Sequence, residues 1–115
     1  MTVGPIIFSV SEAREQLESE GTVVTFRESE RTTGDTWYRY SRTGGKQGEV
    51  HVEEVGEINP AYLADLRPYA RQAGFKSAED WVERIRDVND GELRPGYLYR
   101  ATLLDSDRMQ GGENS

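Results

Sequence analysis

Gly96-Tyr97-Leu98-Tyr99-Arg100-Ala101-Thr102-Leu103-Leu104 reads as a strand, opened by glycine and dense in aromatic and aliphatic residues. Successive side chains on a strand point to opposite faces. Tyr97, Tyr99, Ala101 and Leu103 therefore share one face, and Leu98 and Leu104 take the other. Both faces are apolar. A sheet with one wet face would alternate apolar and polar residues, so this strand belongs between two apolar layers. A small curled barrel, with helices covering part of its outside, meets that demand better than an open sheet. The expected fold class is α+β.

The rest of the chain supplies the other elements. Residues 6–10 form a short apolar run, and Ser11 offers an N-cap for a helix carrying Ala13 and Leu17, closed by Gly21. Thr22-Val23-Val24-Thr25-Phe26-Arg27 is rich in β-branched residues and reads as a strand. Thr33-Gly34-Asp35 reads as a turn into a strand at 36–41, and Gly44 and Gly45 mark a loop before a strand at 47–55. Asn59-Pro60 opens a helical segment as N-cap and first-turn proline, Pro68 breaks it, and Gly74 ends the second piece. Ser77-Ala78-Glu79-Asp80 resembles a capping box, and Trp81, Ile85 and Val88 recur with helical spacing to define one buried face. The expected order is β-α-β-β-β-α-α-β, with antiparallel pairing among the consecutive strands. Residues 1–105 make one domain, and the polar residues 106–115 read as a disordered tail.

Composition excludes several classes of function. There is no cysteine, hence no disulfide, thiolate metal site or cysteine nucleophile. No apolar run approaches the ~20 residues of a membrane span, and no basic segment precedes the first apolar stretch. A cytoplasmic, non-membrane protein is the expectation. His51 is the single histidine, too few for a histidine metal site, so neither metal nor cofactor is expected. Glu53 and Glu54 are adjacent on a strand and diverge, which spoils them as an acid/base pair. Gly44-Gly45-Lys46 lacks both ends of a phosphate loop, with Tyr40 and Gln47 in place of the required glycine and hydroxyl residue.

Charge is the informative feature. The 115 residues carry 21 acidic and 14 basic side chains, a net −7, and Lys46 and Lys76 are the only lysines. Acid excess with scarce lysine points to salt adaptation. Residues 27–46 run against this trend: Arg27, Arg31, Arg39, Arg42 and Lys46 outnumber Glu28, Glu30 and Asp35, giving +2 in a chain that is −9 elsewhere. Thr25 and Arg27 share a strand face, and Trp37, Tyr38 and Tyr40 offer rings for stacking. Arginine binds phosphate or a base edge through paired N–H groups. The candidate nucleic-acid-binding set is therefore Thr25, Arg27, Arg31, Trp37, Tyr38, Arg39, Arg42 and Lys46, on one continuous surface. No catalytic set is apparent.

Three stretches, Gly21 to Arg27, Thr33-Gly34-Asp35 and Gly74 to Trp81, together resemble the ASCH domain family of the PUA-like superfamily, in matching order over residues 6–104. With the acid excess, the resemblance suggests a haloarchaeal member. It implies a small PUA-like β-barrel with flanking helices, and an RNA- or modified-nucleotide-binding module. One branch of the family hydrolyses N4-acetylcytidine with a lysine, a threonine and a glutamate. Here the lysine position is Thr22, the glutamate falls near Ala73, and only Thr25 is retained. A threonine without an activating base is a poor nucleophile. Amidohydrolase and protein-interaction adaptor stand as the alternative expectations.

Overall fold

The computed structural model describes residues 4–104, and the expected tail at 106–115 lies outside them. Five strands form one curled, half-barrel sheet: β1 (Ile6–Ile7), β2 (Thr22–Arg27), β3 (Gly34–Arg39), β4 (Gly48–Ile58) and β5 (Gly96–Leu103). Helix α1 (Ser11–Glu20) follows β1. Helix α2 (Leu63–Leu66), two 3₁₀ turns (Arg67–Tyr69 and Arg71–Ala73) and helix α3 (Ala78–Val88) lie between β4 and β5. The order along the chain is the expected one.

Sheet order is β1-β3-β4-β5-β2. The β3–β4, β4–β5 and β5–β2 pairs are antiparallel, and β1 joins β3 in parallel with Ile6 opposite Tyr38. One expected neighbour is thus replaced: β2 passes over β3 and pairs with β5, Thr22 opposite Thr102. Both strands must serve two apolar layers, which places them side by side. Inside the curl, Val23, Tyr99 and Ala101 pack with Ile6, Phe8, Tyr38, Val50 and Val52, and α1 closes this core with Ala13 and Leu17. On the outer face, Val24 and Leu98 meet Leu66, Ala73, Phe75, Trp81, Val82 and Ile85 of the helical layer. Phe75 and Trp81 stack with ring centroids 6.2 Å apart. Such a pair is worth ~0.5–1.5 kcal/mol beyond the area it buries.

Local signals explain most boundaries. Ser77 accepts the Asp80 N–H at 3.1 Å and starts α3, while Gly21 and Gly74 end their helical segments with φ of 84° and 96°. A Cβ on Gly74 would lie 2.4 Å from the Glu12 carbonyl oxygen, so this glycine also lets α1 approach the helical layer. Several local expectations shift. Ser11 is the first residue of α1 rather than its N-cap, which is Val10 with no side-chain cap. Asn59 caps no helix; its Oδ1 accepts the Ala61 N–H at 3.0 Å in a turn, and α2 begins at Leu63. Gly34 and Asp35 belong to β3 rather than to a turn, paired with Val52 and His51. Strand β4 continues to Ile58 through an irregularity between Glu54 and Gly56. Val88 is 54% exposed rather than buried, and at the end of α3 it lines a cleft with Thr25, Phe26 and Arg27 of β2.

Among the described residues, no helix is long and apolar enough to cross a membrane. His51 pairs with Asp35 at 2.7 Å on the exposed side of the sheet, and among the described residues no group of three or more possible metal ligands occurs.

Candidate binding site

Strands β1 and β2 are the two ends of the sheet, each paired on one side only. They face each other across a seam that the backbone ladder does not close. End strands carry N–H and C=O groups that the ladder leaves free. Two arginines supply donors to them. Arg27, the last residue of β2, donates from Nη2 to the Ile7 carbonyl at 2.8 Å, and Arg31 donates from Nη2 to the Gly4 carbonyl at 2.7 Å. The Arg31 backbone N–H in turn donates to the buried Tyr99 hydroxyl at 2.8 Å, which fixes the 28–31 loop over the barrel mouth. Gly96 makes room for this path: a Cβ there would sit 2.4 Å from the Arg27 carbonyl oxygen and 2.8 Å from the Phe26 ring.

A cleft of about 430 Å³ opens at the seam. Its polar lining includes Thr25, Arg27, Ser29 and Arg31, and its apolar lining includes Val10, Ala13, Phe26 and the exposed Val88. Glu28 and Glu30 also border it. Arg27 Nε is sealed from solvent with no hydrogen-bond partner, while the residue as a whole keeps some exposed surface. Its guanidinium carbon lies 5.6 Å from the centre of the Phe8 ring, within cation–π range. Neither Arg27 nor Arg31 pairs with a carboxylate among the described residues. Burial, with the neighbouring Arg31 charge, pushes the Arg27 pKa down to about 10, and burial lowers that of Arg31 too. Arg27 is still a full cation at neutral pH.

The sequence-predicted residues do not form one surface. Thr25, Arg27 and Arg31 come together in the cleft. Tyr38 is 4% exposed and lies in the inner core, edge-on to Phe8, with its hydroxyl donating to Glu18 Oε2 at 2.9 Å. Its ring is part of the packing and offers no stacking face. Tyr40 Oη donates to the same carboxylate oxygen, and the two tyrosines pin α1 to the β3 end of the sheet. Trp37 and Arg39 have the opposite parity to Tyr38 and stack on each other, 5.4 Å apart, on the outer face. Arg42 is exposed in the β3–β4 loop, and Lys46 there is paired with Glu49 at 2.7 Å. The residues missed are Val10, Phe26, Ser29 and Val88. The available signal was parity: Thr25 and Arg27 continue the inward face of Val23, which directs them into the curl rather than onto an outer surface.

Of Thr22, Thr25 and Ala73, Thr25 alone lines the cleft. Thr22 Oγ1 is 3.3 Å from Thr102 Oγ1 across the β2–β5 pair, and Ala73 is buried in the helical layer. No family model, curated protein or solved structure matches the chain.

Proposed function

We propose that this domain is a binding module for RNA or a modified nucleotide, and that the seam cleft is its recognition site. The observation carrying this reading is Arg27: a cation held in the wall of a cleft and in no ion pair among the described residues, in a chain of 21 acidic residues. A buried charge without a counter-charge is costly, and a ligand oxyanion offsets that cost. The apolar wall of Phe26 and Val88 suits the face of a base. Binding is favoured over turnover because Thr25 has neither a lysine at position 22 nor a carboxylate at position 73 to assist it. Fluorescence anisotropy with labelled short RNAs and nucleotides, at two salt concentrations, tests the proposal. Binding should fall with a shallow log–log slope, about −0.7 for each phosphate neutralised. Absence of binding at both salts, or binding unaffected by Arg27→Met, would remove the reading.

A further inference from the structure

We infer that the cleft recognises a single phosphomonoester carried on a compact, flat body, such as a free nucleoside monophosphate, and excludes a length of nucleic-acid strand; this rests on the nucleotide reading and narrows it. Arginine has five N–H donors, and Arg27 spends one on the Ile7 carbonyl while Nε has no acceptor. Arg31 follows four residues later, its side chain committed to the Thr32 and Gly4 carbonyls, which satisfy hydrogen bonds but leave its charge intact. Glu28 and Glu30 line the same cleft, yet neither arginine forms an ion pair with a carboxylate among the described residues, which leaves Arg27 Nε and its charge open to an anion. A terminal phosphate supplies both the charge and the acceptor geometry of the guanidinium fork.

Size and surroundings argue against a strand. At about 430 Å³ the cleft lies near the small end of ligand pockets, ~300–1,000 Å³. Single-strand sites on small barrels track ~4–16 nucleotides along a positive groove. Here Glu28 and Glu30 border the cleft, and the neighbouring hollow is lined by Glu28, Glu57 and Asp65. A strand leaving the cleft over that hollow would carry its next phosphate over carboxylates. A single molecule brings one phosphate to Arg27 and Arg31 and no second phosphate to the carboxylates beyond, with its ring against Phe26 and the exposed Val88.

Isothermal titration of the full chain with four kinds of probe tests this: the ribonucleoside 5′-monophosphates, the parent nucleosides, phenyl phosphate, and a hexaribonucleotide without terminal phosphates. At least one monophosphate should bind. Its nucleoside should bind roughly 10- to 100-fold more weakly, the range expected from one lost charge-assisted interaction. The hexamer should bind more weakly than the monophosphate. Arg27→Met should cause a similar loss, and Arg27→Lys should restore part of it by returning a point charge without the fork. If Arg27→Met does not fold, Arg31→Gln takes its place, with a smaller loss expected. Tighter binding of the hexamer overturns the single-phosphomonoester inference and leaves the nucleotide reading standing. Phenyl phosphate binding as tightly as the best monophosphate keeps the oxyanion site and overturns the nucleotide reading. Failure of every probe to bind overturns both.

Discussion

On the helical side of the sheet arginines meet carboxylates: Arg84 lies 3.3 Å from Glu12, Arg86 3.4 Å from Glu83, and Arg94 pairs with Glu92. At the seam, Arg27 and Arg31 meet carbonyl oxygens instead. The helical side is organised for stability: an apolar layer of Leu66, Trp81, Val82 and Ile85 sits beneath its ion pairs. Arg27 and Arg31 at the seam are in no ion pair among the described residues, although Glu28 and Glu30 line the same cleft. The difference separates a region that holds the fold from one that is poised to receive something.

Truncating a core ring should produce the largest effect on this contrast. Trp81→Ala and Tyr38→Ala are each expected to lose about 3–5 kcal/mol in urea unfolding, a large part of the ~5–15 kcal/mol typical of a domain. A cost below about 1 kcal/mol for Tyr38→Ala would return that ring to the surface. The next effect is alkaline. The folded pKa of Arg27, about 10, lies well below its value in the unfolded chain, so between the two the unfolded chain binds more protons and stability rises with pH. Relative to Arg27→Met, the wild type should gain about 1 kcal/mol from pH 10 to pH 11, read from paired denaturant curves. A flat difference would mean that the guanidinium is not desolvated.

At pH 7, Arg27→Met should change stability by no more than about 1 kcal/mol, because a lost charged hydrogen bond (~1.5–3 kcal/mol) is offset by relief of the buried charge. A much larger loss would make Arg27 chiefly a clasp across the seam. Smallest of all should be Arg100→Met, which removes contacts to Glu53 at 3.5 Å and Gln72 at 2.9 Å on a partly exposed surface. The expected cost is ~0.2–1 kcal/mol in dilute buffer, and less in molar KCl. In the same thermal melts the wild type should gain from salt, since its net −7 is then screened.

Much of the fold was legible because local chemistry agreed with it. The β-branched run of β2, the Ser77 cap and the helix-ending glycines Gly21 and Gly74 mark their elements within the sequence itself. The two-sided apolar character of β5 was legible for the same reason: period-two alternation needs no partner to be seen. Partner choice was harder. That β2 pairs with β5, 80 positions away at Thr22 and Thr102, follows from which strands can serve both cores, a property of the assembled sheet. The candidate site split on parity. Trp37 and Tyr38 are neighbours in sequence, and only the register against β4 decides which one faces inward. The Arg27–Ile7 contact, 20 residues apart, depends on how far the sheet curls, and nothing local specifies that.

Strand β5 is among the last described residues of the chain, yet it is laid between β4 and β2 and contributes to both cores. A polypeptide emerging from the ribosome with its N-terminus first cannot complete either core until residues 96–103 are free. Until then β2 and β4 each lack a neighbour along a whole edge, the kind of edge that pairs with other chains. Folding should therefore be late and concerted, within the millisecond-to-second range of sheets built on distant pairings. Nascent chains halted before residue 96 should be sensitive to protease and prone to aggregate, whereas those that expose β5 should acquire protection in one step.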